Sequence, residues 1–382
     1  MNEKLSLKEK FVVASGQFGG MLGAGICSGA TVTVYFVAKG GYLAPVTALI
    51  ALLFLFLTYY LGIEMGRVYD IHNYRELFKE IYGKAGVIMS PLTDIMMVYS
   101  LMISTAFAFS GCGSYFNQTL GLPILIGASG AAIICLIIAF KGIGFFNKVQ
   151  GIMCFVMFAI LLIVYITIIF GFGYDSLIEK FSLRWLPENY STGTMALWCF
   201  YFAASYLSFL SIYLISGKKI KRKKDVLQTC GIGLILNIGA VVLPVITLLA
   251  FAPRSFSFNI PMLYIMTDIL KFPPAQIVYS VLLLFAFLTT GAACLVSLND
   301  RFERYIPKNV TNPVIRKAVV PVIVSVISLV LAPMGLLSLL SQFSPYSSIA
   351  SIITIFVPVL FIAPVKIRKI KGTQFQKSQP KE

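Results

Sequence analysis

The stretch that decides the fold of this chain reads GQFGGMLGAGICSG, from Gly16 to Gly29. It lies in an apolar segment, residues 9–38, which is long enough to cross a bilayer, since a spanning helix needs about 20 mostly apolar residues. Its six glycines weaken a helix, because each costs roughly 0.5–1 kcal/mol relative to alanine. Broken backbone at membrane depth survives only where protein or a water-filled cavity satisfies the freed groups. The stretch therefore predicts a broken membrane helix with a binding site at Gly23-Ala24-Gly25.

The composition assigns the chain to a broad class. Of its 382 residues, 58% are hydrophobic and 12% are charged, and the mean hydropathy is +0.87. Soluble proteins carry about 25% charged residues. The first apolar segment is too long for a signal-peptide core and is predicted to be retained as a helix. These values indicate a polytopic membrane protein.

The charges are distributed unevenly along the chain. The net charge of +16 could suggest nucleic-acid binding, but by the topology below 26 of the 31 Lys and Arg residues fall on one side of the membrane. This asymmetry follows the positive-inside rule. The basic side, with both termini, is therefore predicted to be cytoplasmic and the chain to lie in the plasma membrane. The basic run Lys218 to Lys224 could bind RNA or lipid head groups, but its position beside a membrane helix favours topology anchoring.

Ten apolar spans are predicted, all helical because lipid-exposed backbone must satisfy itself internally. They cover residues 11–38, 42–65, 85–116, 122–140, 149–172, 192–215, 226–251, 276–297, 318–337 and 346–364. A short amphipathic helix near residues 71–82 is predicted to lie on the membrane surface. A Ser-rich turn at residues 338–345 separates the last two spans, and the basic tail 366–382 is predicted to be disordered and cytoplasmic.

The order of these elements repeats. Residues 1–365 are predicted to form one all-α transmembrane domain of two inverted halves, about 9–172 and 191–364. Each half opens with a helix that is predicted to be broken. Each half also joins its second and third helices through a loop that contains a helix, which lies inside in the first half and outside (near Pro261) in the second. Gly25 lies about fourteen residues into span one and Ser205 about thirteen into span six. A five-plus-five inverted repeat with helices 1 and 6 discontinuous is the predicted fold.

A helix interrupted at membrane depth offers two kinds of ligand. The N-terminal end of one half presents N–H groups and a positive dipole to an anion such as a carboxylate, while freed carbonyls of the other half can hold a cation. The alternative is that the glycines only allow close helix packing. Packing is the preferred interpretation for Gly16 and Gly29, and substrate binding for Gly23, Ala24 and Gly25.

Several short motifs carry a family resemblance. The chain contains GAGICSG from Gly23, the sequence YGK from Tyr82 and KGIGFFN from Lys141, within the ten-span layout. With these features it resembles the YkvI-like membrane proteins of the amino acid-polyamine-organocation superfamily. The resemblance covers most of the chain and implies the leucine-transporter (LeuT) fold.

The resemblance also implies a candidate sodium site. Sodium-coupled members of this fold bind Na⁺ between carbonyls of the broken first helix and an Ala-x-x-Thr-Ser/Thr pattern on helix eight. Here the pattern is Ala286, Thr289 and Thr290. The matching first-helix carbonyls are those of Gly19 and Leu22. Such oxygen ligands suit a hard cation, although threonines in membrane helices also bond the preceding turn.

The same comparison places Phe202 and Ser205 of helix six beside the substrate. Phe202 would close over it, and Ser205 would contribute backbone or hydroxyl contacts, although an aromatic residue in a membrane helix often only packs. Tyr99 on span three is a further candidate, as a hydrogen-bond donor to a substrate carboxylate.

Two carboxylates lie at or near membrane depth. Asp94 is an ion- or proton-coupling candidate, with a helix-end residue that reaches cytoplasmic water as the equal alternative. Glu64 is expected to pair with Arg67 one turn away. The body of span five contains no lysine, where some proton-coupled relatives have one, which favours sodium coupling.

Catalytic and metal chemistry find little support in the sequence. The seven cysteines lie in apolar segments without a CxxC pair, and the single histidine, His72, lies in a polar loop. No Ser/His/Asp or metal-ligand pattern is present, so neither an enzyme nor a resident cofactor is expected.

The predicted function is secondary transport of a small organic solute, an amino acid or related amine, with Na⁺ as the coupling ion. The expected partners are this solute and the lipid bilayer, without nucleic acid. The alternative is a sensor subunit of the same fold that binds a small molecule without moving it, as germinant-receptor relatives of the superfamily are thought to do.

Overall fold

The structure is a computed structural model that describes residues 4–141, 144–210, 213–214, 217–302 and 313–377. Residues 142 and 143 of the KGIGFFN motif and the end of the tail, 378–382, lie outside this set. The described residues form helices and connecting turns, and no strand occurs among them.

The first half of the chain opens with a helix in pieces. The helices are α1 (Leu7–Met21), α2 (Ala24–Cys27), α3 (Ala30–Val32), α4 (Ala44–Tyr69), α5 (Tyr74–Tyr82), α6 (Gly86–Leu120), α7 (Ile124–Lys141), α8 (Gly144–Ile168) and α9 (Tyr174–Ser182). A π-helical segment, Thr33–Val37, and the turn Ala38–Gly40 extend α3, and a second π-helical segment, Ile169–Gly173, extends α8.

The second half follows the same order. Its helices are α10 (Thr192–Ser205), α11 (Lys223–Ala250), α12 (Pro261–Tyr264), α13 (Pro273–Phe302), α14 (Pro313–Leu331), α15 (Leu336–Ser351) and α16 (Val357–Lys377). A 3₁₀ turn, Tyr206–Phe209, follows α10, and a π-helical segment, Ile265–Leu270, extends α12. The loop helix predicted near Pro261 is thus present, and helices 1 and 6 are both interrupted, as predicted.

The helices pack in two groups. In the first group, α4 packs on α10 and α11, and α1 packs on α11. In the second group, α6, α7, α13 and α14 pack on one another. The equivalent helices of the two halves, α4 with α11 and α6 with α13, lie side by side. The α6–α13 contact is close because Gly111 leaves room for the Phe287 ring, which a Cβ at this position would overlap.

Fewer described helices than the ten predicted are long and apolar enough to cross a membrane. Six described helical segments are long and apolar enough to cross a membrane, and three shorter apolar helices accompany them. The interruptions divide the first and sixth helices into short pieces, so ten spans stay a prediction.

The end of the chain corrects two predictions. The predicted turn at residues 338–345 is helical and belongs to α15, because its serines bond back to the preceding turn, as Ser341 Oγ does to the Ser338 carbonyl at 3.0 Å. The turn lies instead at Ala332–Met334 and Gly335, whose φ of +81° reverses the chain. The tail predicted to be disordered continues α16 as far as Lys377.

The predicted amphipathic helix, α5, is present, but its apolar face packs on other helices. Its apolar residues Leu77, Phe78 and Ile81 are buried because α5 packs on α4, α6 and α16. The apolar face therefore covers protein instead of lying directly on the bilayer as predicted.

Contacts between distant segments define two ends of the bundle. At one end, Lys366 pairs with Glu80 at 3.0 Å, and the Arg67 guanidinium bonds the Lys221 carbonyl at 3.1 Å. We call this the basic end. At the other end, the Tyr42 amide donates to the Trp185 carbonyl at 3.0 Å. The predicted pair of Glu64 and Arg67 is confirmed at 2.7 Å.

A buried ion pair secures the N-terminal helix at the basic end. The Lys10 ammonium lies 2.8 Å from the Asp225 carboxylate at the start of α11, and the two side chains are 5% and 2% exposed. Lys10 also donates to Gln228 Oε1 at 2.7 Å, and the Leu5 amide donates to Asp225 at 3.4 Å. These bonds fix α1 to α11.

We expect Lys10→Met to lower stability by roughly 1–3 kcal/mol, because the buried Asp225 carboxylate would lose its charged donor. The apparent melting temperature in detergent measures this loss. Lys8→Met is the matched control, since Lys8 is exposed on the same helix. Equal melting temperatures for the two variants would contradict the role of the pair.

Candidate functional site

The first helix breaks at Leu22 and Gly23. Leu22 has a ψ of 53° and Gly23 is extended, with a ψ of 179°. The Gly23 amide donates to the Met21 carbonyl at 2.8 Å, whereas a continuous α-helix would direct it to the Gly19 carbonyl. The break therefore leaves the Gly19 carbonyl without its helical donor. The carbonyls of Gly19 and Leu22 are the two first-helix ligands of the predicted cation site.

The residues after the break form one tight turn, α2. Its first-turn amides have no acceptor within the helix, and those of Gly25 and Ile26 donate no backbone hydrogen bond to a described residue. A Cβ on Gly25 would overlap the Thr31 hydroxyl. Gly25 is therefore required because the chain folds back closely on itself.

A second break follows at Gly29, which has a φ of +79°. The sequence interpretation of Gly29 as packing alone is thus incomplete, because the residue also adopts a left-handed conformation that favours glycine. The freed carbonyls around it are capped by distant groups: the Tyr279 hydroxyl donates to Cys27 O at 2.9 Å and the Met262 amide to Ser28 O at 3.0 Å. Tyr279 belongs to α13 and Met262 to α12, so both elements hold the broken helix.

The sixth helix changes conformation at the predicted residue. The α-helix ends at Ser205 and a 3₁₀ turn begins at Tyr206. The Tyr59 hydroxyl, from α4, donates to the Tyr206 carbonyl at 2.5 Å, and Ser205 Oγ donates to the Phe202 carbonyl at 2.8 Å. Tyr59 thus has the same role at this break as Tyr279 has at the first helix.

The first helix contacts the sixth on both sides of its break. The helix α1 packs on the 3₁₀ turn Tyr206–Phe209, and the π-helical segment Thr33–Val37 packs on α10. The structure therefore brings the two predicted breaks, near Gly25 and at Ser205, into neighbouring positions.

Aromatic rings fill the same region. Phe202 is fully buried, and its ring centroid lies 4.7 Å from that of Phe36, 4.9 Å from Tyr206 and 5.6 Å from Tyr35. Phe202 thus packs between the C-terminal part of the first helix and the break in the sixth.

The second wall of the candidate sodium site lies on α13. This helix packs on α2, and Thr289 and Thr290 both donate to the Ala286 carbonyl at 2.9 Å. These are the bonds to the preceding turn that the sequence analysis gave as the alternative to cation binding. Each hydroxyl oxygen keeps lone pairs that can face a cation.

Two predicted residues have partners elsewhere. The Tyr99 hydroxyl donates to the Phe343 carbonyl of α15 at 3.0 Å. Asp94 forms an ion pair with Arg301 of α13, whose guanidinium also donates to the Tyr74 hydroxyl at 2.9 Å. Asp94 therefore ties α6 to α5 and α13.

Comparison with solved structures identifies the fold. MhsT in complex with L-phenylalanine has a TM-score of 0.62 at 13% identity, with 97% of this chain and 99% of MhsT covered. The manganese transporter of Eremococcus coleocola has a TM-score of 0.59 at 14% identity, with 94% and 80% covered. A Na⁺-coupled sialic acid symporter has a TM-score of 0.56 at 13% identity, with 92% and 79% covered. The chain is a multi-pass membrane protein with the LeuT fold.

Comparison by sequence adds no assignment. No family model matches the chain, and no curated protein matches it. The LeuT fold expected from the resemblance is thus confirmed, while the YkvI-like family stays a hypothesis.

We expect Tyr279→Phe to destabilise the protein by roughly 1–3 kcal/mol, because the buried Cys27 carbonyl would lose its hydroxyl donor. Melting temperature in detergent is the measurement. Tyr346→Phe is the control, since Tyr346 is exposed on α15. A Tyr279→Phe variant as stable as the control would show that this bond does not hold the broken helix.

Proposed function

We propose that the chain is a secondary transporter that moves a small organic solute, an amino acid or related amine, by alternating access with Na⁺ as the coupling ion. The observation that carries this proposal is the meeting of two helix breaks, one in each half, through the packing of α1 on the turn Tyr206–Phe209 and of Thr33–Val37 on α10. The proposed site lies between α10 of the first packing group and α2, which contacts α11 of the first group and α6 and α13 of the second. A rocking of one group against the other would open it to one side at a time.

The chemistry of the break supports a carboxylate-bearing substrate. The amides of Gly25 and Ile26 have no backbone acceptor among the described residues, and amides at a helix start bind anionic groups. We propose that Gly23, Ala24 and Gly25 bind the carboxylate. Ser205 would contact the substrate amine, and Phe202 would cover it. Tyr99 can contribute a donor only if it leaves the Phe343 carbonyl.

The oxygen-rich wall of α13 supports sodium coupling. The carbonyls of Gly19, Leu22 and Ala286 and the hydroxyls of Thr289 and Thr290 would supply neutral oxygen ligands to a hard cation. One solved structure with this fold is of a Na⁺-coupled symporter. The ion pair of Asp94 with Arg301 supports a structural role for Asp94 in preference to ion or proton coupling.

The charge distribution supports an orientation in the membrane. We propose that the chain lies in the plasma membrane with its basic end and both termini in the cytoplasm. We also propose, from the short motifs that begin at Gly23, Tyr82 and Lys141, that it belongs to the YkvI-like family.

The coupling ion can be tested in proteoliposomes. We expect uptake of a radiolabelled amino acid mixture to require an inward Na⁺ gradient, and the Thr289→Ala and Thr290→Ala double variant to lose this requirement together with most of its uptake, because two of the proposed ligands are removed. Thr267→Ala is the control, since this threonine also bonds the preceding turn but lies in the loop helix. Uptake that is unaffected by sodium removal would contradict sodium coupling.

The substrate site can be tested at the break. We expect Gly25→Ala to reduce uptake at least tenfold with little change in sodium-dependent stabilisation, because the added methyl group overlaps Thr31 and a small misplacement of binding groups can cost on the order of 100-fold in rate. Gly231→Ala is the control, since a Cβ there meets no atom within 4 Å.

The same experiments separate transport from sensing. Amino acid binding by the wild type, measured by thermal stabilisation, together with no flux in vesicles under any ion gradient, would contradict transport and favour the sensor subunit.

A further inference from the structure

A groove lies at the basic end, between the surface helix α5 and the start of α6. Its volume is about 420 Å³, within the range of roughly 300–1,000 Å³ that ligand pockets have. Phe78 and Lys79 of α5 form one wall, and Val87, Ser90 and Asp94 of α6 form the other. The groove belongs to neither helix break.

The groove opens onto an exposed apolar surface. Val87 lines it and is 83% exposed, and the adjacent Ile88 is 75% exposed. Leu92 and Ile95 continue this exposed apolar face along α6. Because α6 belongs to a segment long and apolar enough to cross the membrane, this face suits contact with acyl chains, which would then reach the groove.

The polar side of the groove is basic. Lys79 lines it, Lys84 lies in the turn between the two helices, and both are exposed without an ion-pair partner among the described residues. Of the neighbouring carboxylates, Asp94 pairs with Arg301 and Glu80 with Lys366, while Glu76 lies on α5 one turn before Lys79. The two lysines thus outnumber this one carboxylate, and a positive charge beside an apolar slot complements an anionic head group with its acyl chain.

We propose that this groove is a binding site for one anionic phospholipid of the leaflet at the basic end. The phosphate lies between Lys79 and Lys84, the Ser90 hydroxyl is available to the glycerol or ester oxygens, and one acyl chain lies along Phe78 and Val87. The bound lipid holds α5 against α6. It thereby supports the contact in which Tyr74, Asp94 and Arg301 join α5, α6 and α13.

Native mass spectrometry of the full chain in detergent tests this proposal with phosphatidylglycerol and phosphatidylcholine of identical chains. We expect one phosphatidylglycerol to bind in preference to phosphatidylcholine. We expect Lys79→Gln with Lys84→Gln to weaken that binding roughly tenfold, because each lysine near an anionic lipid contributes to the attraction. Lys218→Gln with Lys219→Gln is the matched control, since both lysines are exposed at the same end of the bundle.

A second variant tests the acyl-chain slot independently of charge. Gly86→Leu places a side chain in the groove, and a Cβ there meets only ordinary contacts with Tyr82 and Ser90. We expect it to abolish the tight phosphatidylglycerol site while the melting temperature without lipid stays within a few degrees of the wild type. Soluble glycerol phosphate should not compete, since it has no acyl chain.

Three results would overturn the proposal. These are equal binding of the two lipids, binding that survives both groove variants, and an equal loss in the Lys218 and Lys219 control, which would indicate general attraction to a basic surface.

Discussion

The structure depends on one constraint, which is that backbone carbonyls freed in a membrane helix must find donors inside the protein. The first helix is broken twice, and its carbonyls at Cys27 and Ser28 are bonded by Tyr279 and by the Met262 amide. The carbonyl at the break of the sixth helix is bonded by Tyr59. Each unsatisfied buried group costs on the order of 1–3 kcal/mol, so the breaks persist because these distant donors exist.

The positions of the donors have consequences for motion. Tyr59 and the sixth helix belong to the same packing group, so their bond travels with that group. Tyr279 belongs to the other group, and it bonds Cys27 of α2, which contacts helices of both groups. The bond at the sixth helix is therefore internal to one group, whereas the bond at the first helix involves a segment that touches both. In the proposed alternating-access movement, the bond between Tyr279 and Cys27 is kept only if α2 moves with α13.

The sequence predicts the positions of the two helix breaks but not their supports. The glycines between Gly16 and Gly29 reveal a weak helix, and the repeat locates the second break at Ser205 although no glycine marks it. Tyr59 and Tyr279 could not be found this way, because a tyrosine in an apolar helix gives the same pattern whether its hydroxyl caps a carbonyl or faces a lipid head group. The serines of α15 predict a turn that is absent, because serine is common in turns and also bonds back within helices.

The distribution of charge limits what the central site can bind. Among the described residues, the buried charged side chains are Lys10, Glu64 and Asp225, and all three contact segments at the basic end. The region between the breaks instead contains hydroxyls, carbonyls and amides. A ligand with one unbalanced charge would have no counter-ion there, which is costly at low dielectric. A zwitterion balances its own charges, and a carboxylate that binds beside a sodium ion gains a counter-ion from the ion itself. At the proposed site, a neutral lining would therefore make the binding of the substrate carboxylate and of the coupling ion depend on each other, which is the physical basis of the proposed coupling.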